Sequence, residues 1–155
     1  MLKSFWFWFF ITFIMIQFIP MDVPEKLEGN PKDEIEAPQE VIEILKRSCY
    51  VCHSNSLVYP WYDKIAPASW YAKLHVRNGR KAVNFSSWKE HSKEKQLKVI
   101  DKLPNSTAIR MPLPTYLWLH EEAKLSTQDK RILKILFDLN IIFFVYNFKR
   151  ASFSS

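Results

Sequence analysis

Cys49 and Cys52 are the only two cysteines of the chain, and His53 follows the second at once. The pentad Cys49-Tyr50-Val51-Cys52-His53 therefore reads C-x-x-C-H. Whatever the chain folds into must bring two thiols and an imidazole to one place. Two cysteines exclude a disulfide-dense scaffold and a four-cysteine zinc site. Thiols at this spacing can reach the two vinyl groups of one haem and form thioethers, while the adjacent histidine ligates the iron from one face. Covalent attachment lets a small domain hold a large apolar cofactor without a deep pocket. Other readings compete. A thioredoxin-like redox pair calls for a βαβ surround, whereas the flanking sequence here is helical. A zinc site needs further ligands, which His75, His91 and His120 could supply, but none of these is paired at ligand spacing. A bare disulfide, or two buried cysteines beside a histidine, would be the plainest outcome.

The start of the chain is as distinctive. Residues 5–19 hold thirteen apolar residues in fifteen, broken only by Thr12 and Gln17. Lys3 precedes the run, and Asp22 and Glu25 come after it. The exit, Ile19-Pro20-Met21-Asp22-Val23-Pro24, lacks the small residues of a signal-peptidase site. We therefore read residues 1–20 as an uncleaved membrane anchor, near the lower limit of about 17 residues for crossing a bilayer. The positive flank then stays in the cytoplasm and the rest faces outward.

Charge divides the remainder. Residues 22–43 carry eight acids and two bases, and residues 44–155 carry nineteen bases and eight acids. With Pro24, Pro31, Pro38 and Gly29 among the acids, residues 21–38 read as an extended, self-repelling linker. The Lys and Arg of the body are scattered, which argues against a nucleic-acid surface and suits an acidic protein partner. Hydrophobic residues make up 48% of the chain, enough for a real core. Only two glycines rule out phosphate-cradling loops and a dinucleotide fingerprint.

From residue 39 the pattern is helical throughout, so the fold class is all-α. Helices are expected over 39–48, from Pro67 to about Asn78 with Gly79 as the stop, and from a Ser87–Glu90 capping box to about Leu103 before Pro104. A proline-bearing loop over 104–114 comes next, then a short helix over 115–124. A Ser126–Asp129 capping box opens the last helix, which runs to about Leu139. The domain proper is thus 39–139, and 140–155 is an apolar tail of no assigned role.

A haem iron in such a setting wants a second axial ligand. Met111 is the only methionine within the body and sits in Arg110-Met111-Pro112-Leu113-Pro114, where prolines stiffen the backbone. It is the candidate. Met21, His75, His91 and His120 are the others, the histidines being expected as surface or satisfied residues. Tyr59, Trp61, Tyr62, Trp70, Phe85 and Trp88 suit either a haem wall or an ordinary aromatic core. Arg77, Arg80 and Lys81 could meet haem propionates, with solvated charge the default.

The stretches from Cys49 to Trp88 (CYVCHSNSLVYPWYDKIAPASWYAKLHVRNGRKAVNFSSW) and from Met111 to Ser126 (MPLPTYLWLHEEAKLS) resemble the haem-binding domain proteins of bacteria. These are small c-type-cytochrome-like proteins with one N-terminal membrane segment. With the helix between them, these stretches cover about half the chain. The resemblance implies a cytochrome-c-like helical domain behind a transmembrane helix and linker. It implies haem c on Cys49 and Cys52, His53 as proximal ligand, and Met111 in the M-P-L-P-x-Y element as distal ligand. The chain departs from the family in continuing past the last helix with an apolar run, Leu139 to Tyr146.

The function expected is that of a membrane-tethered monohaem cytochrome on the periplasmic side of the inner membrane. It passes single electrons to a redox partner and is a carrier rather than a catalyst. A haem-based sensor or gas-binding module is the alternative, and needs an open distal site. A peroxidase or a C-x-x-C thiol–disulfide oxidoreductase is the enzymatic rival.

Overall fold

The computed structural model describes residues 2–21, 23, 27–57 and 59–135. The expected end of the last helix at 136–139 and the apolar tail lie outside the described residues. Among the described residues the fold is helical, with no β-strand. The helices are α1 (Leu2–Ile16), α2 (Gln39–Ser48), α3 (Tyr50–His53), α4 (Ala68–Ala82), α5 (Lys93–Ile109), α6 (Pro114–Leu117) and α7 over the described residues 127–135. Short 3-10 turns at Pro31–Asp33, Trp61–Lys64, Phe85–Glu90 and Glu121–Ala123 join them.

α1 falls short of the expected membrane span. Its 15 residues extend roughly 22 Å at ~1.5 Å per residue, against a hydrocarbon core of about 30 Å. Among the described residues no helix is long and apolar enough to cross a membrane. The helix ends where Gln17 turns to the body. Its amide nitrogen donates to the Ala66 carbonyl at 3.1 Å, and its amide oxygen accepts from the Ala66 N–H at 2.9 Å. Trp70 adds a hydrogen bond from Nε1 to the Ile19 carbonyl at 3.1 Å.

The segment after α1 does not stand off as a self-repelling linker. Two of its described acids find partners on the body: Glu34 accepts from the Tyr50 hydroxyl at 2.9 Å, and Glu36 pairs with Lys89. Its apolar residues Val23 and Ile35 are buried, and the Ile35 N–H bonds the Phe85 carbonyl. Burial of these side chains and neutralisation by the body outweigh the mutual repulsion of the acids.

α2 forms over the expected residues, with Val41, Ile44 and Leu45 on its buried face. The Ser126–Asp129 capping box is present: Asp129 Oδ2 accepts from the Ser126 N–H at 2.8 Å and Ser126 Oγ accepts from the Asp129 N–H at 3.0 Å. The other expected capping box is not. Ser87 has non-helical dihedrals inside the Phe85–Glu90 turn, and α5 starts later, capped by Ser92 Oγ on the Lys95 N–H. α5 also runs through Pro104 to Ile109. Leu103 packs on the core before the proline, Thr107 is buried after it, and the Thr107 hydroxyl donates to the Leu103 and Pro104 carbonyls. The expected helix over 115–124 is broken into α6 and the Glu121–Ala123 turn.

Two apolar clusters flank α3. One gathers Val41, Leu45, Tyr50, Phe85 and Leu133, with Cys49 at its edge. The other joins Val23, Leu57 and Val76, with Cys52 at its edge. The motif helix is thus wedged between them. α4 passes it closely at Gly79, which does not end the helix as expected. A Cβ placed there would stand 2.6 Å from the Cys52 carbonyl oxygen and 3.2 Å from the Cys52 Cβ. Glycine lets the two backbones touch, and α4 continues to Ala82. Gly79→Ala should therefore destabilise the protein by about 1–3 kcal/mol through overpacking, although alanine is the better helix former by about 1 kcal/mol. Denaturant melts of the two proteins check the sign.

Candidate haem site

α3 and the residue just before it carry Cys49, Cys52 and His53 to one wall of a cavity of about 560 Å³. This lies within the range of small-molecule and cofactor sites. α4 supplies His75, Asn78, Gly79 and Ala82 to the cavity at helical spacing. α5 supplies a further wall, and Met111, Leu113 and Tyr116 line it after α5 ends. The motif residues and Met111, far apart in sequence, thus meet at one cavity.

His53 is held by its Nδ1, which lies 3.1 Å from the Val83 carbonyl oxygen. A carbonyl only accepts, so Nδ1 carries the proton and donates it, leaving the Nε2 lone pair free for a metal. The Gly79 carbonyl is a second acceptor beside it. Burial lowers the imidazole pKa, so the ring stays neutral, the form that ligates. Phe85 backs the ring with centroids 6.0 Å apart, and itself stacks on Tyr50 at 5.8 Å and 12°. The Arg80 Nε donates to the Ser54 carbonyl at 2.8 Å, fastening the end of α3 to α4.

Burial, reinforced by Cys52, pushes the Cys49 thiol up to about 12. Burial likewise pushes the Cys52 thiol up to about 11. Both are protonated near neutrality, the opposite of what a thiol–disulfide enzyme requires of its nucleophile. Nor does the zinc reading find its ligands: among the described residues no three His, Cys, Asp or Glu side chains gather as a metal-ion group.

The histidines separate clearly. Both ring nitrogens of His120 are engaged: Nε2 accepts from the Tyr62 hydroxyl at 2.8 Å and Nδ1 donates to Glu122 at 2.9 Å. Tyr116 stacks on the same ring at 4.2 Å. His91 accepts from the Asn84 N–H at 3.2 Å. His75 alone of the three lines the cavity, and its Nδ1 donates to the Tyr71 carbonyl at 2.8 Å. Its place there comes from the spacing it shares with Asn78, Gly79 and Ala82 along α4, a helical-face signal that a lone histidine does not advertise in sequence. Arg77, Arg80 and Lys81 are not among the cavity-lining residues, whereas Lys95, Lys98 and Lys102 of α5 are.

The model of the haem-binding domain matches residues 11–138. The chain belongs to the haem-binding domain family. No curated protein and no solved structure gives a match. The match begins inside α1 and covers the whole helical body up to α7. This haem-binding domain has residues that suit its cofactor: an apolar cavity, a neutral imidazole with a free Nε2, two thiols beside it, and a buried Ser48 hydroxyl on the same wall with no hydrogen-bond partner among the described residues.

Proposed function

We propose that this haem-binding domain is a membrane-tethered monohaem cytochrome that holds haem c through thioethers from Cys49 and Cys52 and transfers single electrons. The observation that carries this reading is the hydrogen bond from His53 Nδ1 to the Val83 carbonyl. It orients the imidazole so that Nε2, in the same cavity wall as both thiols, is left for iron. The bound group supplies one-electron chemistry at iron; the chain supplies ligands, an apolar wall and exclusion of water. The hydrogen bond to Val83 and the backing from Phe85 hold the half-buried imidazole in place, so little reorganisation would accompany a change of charge at a bound metal.

Met111 is the proposed distal ligand. Its N–H bonds the Ser106 carbonyl at 2.8 Å, so the backbone that carries it is tied to the end of α5, and Pro112 and Pro114 restrict the backbone on its other side. If His53 and Met111 both held the iron, the bound group would lack an open position, which would suit electron transfer rather than gas binding or peroxide chemistry. His75 is the rival ligand, because it lines the same cavity with Nδ1 already engaged.

Tethering is supported by the surface of α1. Phe5, Trp8 and Phe10 are each more than half exposed, and the helix bears such residues on all sides. Water is a poor neighbour for that surface, and a bilayer is a good one. In this reading the body lies on the periplasmic side of a bacterial inner membrane, and its net positive charge suits an acidic redox partner.

Haem should remain on the chain in a denaturing gel stained for peroxidase activity, and Cys49→Ala with Cys52→Ala should remove it. Stain that persists on the double variant would sink the thioether assignment. Met111→Ala should lower the midpoint potential, let carbon monoxide bind the reduced protein and abolish the weak near-infrared band of sulfur–ferric coordination. His75→Ala should leave all three unchanged; the reverse pattern would make the site bis-histidine. The protein should stay with the membrane fraction after a high-salt wash and leave it in detergent. Release by salt alone would show that α1 does not hold it there.

A further inference from the structure

α5 presents two chemistries to the cavity. Val99, Leu103 and Thr107 line it, and so do Lys95, Lys98 and Lys102. The lysines stand three and then four residues apart, which places them in one row along the helix. The rest of the lining is mostly apolar, and among the described residues no carboxylate lines the cavity. Lys98 and Lys102 are exposed and Lys95 is half-buried, so the row stands at the solvent boundary of this space. The row shares it with Cys49, Cys52 and His53. Glu94 pairs with Lys98 at 2.6 Å, but through an exposed contact in which both side chains are about two-thirds or more open to solvent. Lys95 is half-buried, its Nζ 3.4 Å from the Lys81 carbonyl. Three cations therefore border an apolar cavity that offers them no acid in return.

A haem carries its two vinyl groups on one edge and its two carboxylates on the opposite edge. Attachment at Cys49 and Cys52 would direct the carboxylates away from α3. α3 packs against α2, α4 and the Phe85–Glu90 turn, and α5, which is not among the elements closely packed on it, lines the same cavity. We propose that Lys95, Lys98 and Lys102 form the seat of the two haem carboxylates. The assignment rests on the proposed attachment through Cys49 and Cys52. Long lysine stems cover the ring edge while their ammonium groups meet the carboxylates at the solvent boundary. Held beside three cations, the carboxylates stay ionised through the neutral range, and the local positive charge favours the ferrous form.

The test compares three full-length, haem-loaded proteins in detergent: wild type, the triple variant Lys95→Gln/Lys98→Gln/Lys102→Gln, and a control triple Lys46→Gln/Lys130→Gln/Lys134→Gln that loses equal charge from α2 and α7. The midpoint potential is followed from about pH 5 to 9, around the range in which shifted carboxylates titrate. In the α5 triple the ferric-to-ferrous ratio at the wild-type midpoint should rise about tenfold, the order expected of three charges near the ring. A pH-dependent limb should also appear, because carboxylates deprived of cations take up protons closer to neutrality. The other titratable groups facing the cavity, Cys49, Cys52 and His53 of the motif, His75 from α4 and Tyr116 from α6, are unchanged, and Glu94 loses only its exposed partner. Lys95→Arg/Lys98→Arg/Lys102→Arg should restore the wild-type profile, and Lys102→Gln alone should give a smaller shift in the same direction should the Gln triple fail to fold. A profile that superimposes on the control triple while the haem stain is intact overturns the lysine seat and leaves attachment standing. Wild type without covalent haem overturns both.

Discussion

Contact between the backbones of α3 and α4 is the constraint on which the site depends. It exists because residue 79 has no side chain: any Cβ there would press into the Cys52 carbonyl. With the two helices this close, the Gly79 carbonyl itself lies beside His53, and Val83, one turn on at the end of α4, brings the second acceptor. One missing methyl group thereby fixes the tautomer of the imidazole that lies across the helix contact. The same closeness lets Arg80 reach the Ser54 carbonyl, so α3, only one turn long, is held at both its flank and its end. A helix of four residues has no stability of its own; it borrows its geometry from α4 and from the two apolar clusters on either side.

Burial then decides between the chemistries that a C-x-x-C-H pentad allows. Thiols that sit between two apolar clusters are poor thiolates, which disfavours redox cycling at sulfur. The same apolar setting favours the uncharged form of His53. Such an environment costs a catalytic cysteine its nucleophilicity and costs a ligating histidine nothing. Membership of the haem-binding domain family agrees with that physical division.

Much of this was legible in the sequence, and the failures have identifiable causes. α2 and the Ser126–Asp129 box were readable because local patterning and local capping both pointed the same way. Gly79 and Pro104 misled, since each is a helix breaker by propensity and each is overridden by packing: Gly79 by the neighbouring backbone, Pro104 by Leu103 and Thr107. The Cys49, Cys52 and His53 cluster was legible because its residues are adjacent. That Met111 would face the same cavity was signalled only by the resemblance and by its proline context. That His75 and the α5 lysines line the cavity could not be read, because the side of a helix that meets a cavity is set by how distant segments pack. The acidic stretch after α1 defied its composition for a related reason: repulsion among acids is a local property, whereas the Tyr50 and Lys89 partners that relieve it come from elsewhere in the chain.

The double hydrogen bond between Gln17 and Ala66 has a consequence for motion. A primary amide that engages both the N–H and the C=O of one residue resists rotation as well as stretching, and the Trp70 indole bracing Ile19 adds a third point of support. Three points define a plane. α1 is therefore a lever rather than a leash: tilting it tilts the body with it. Any surface on which the aromatic helix comes to rest sets the compass bearing of the cavity mouth, and a partner in the same surface would meet it from a single direction instead of by random tumbling.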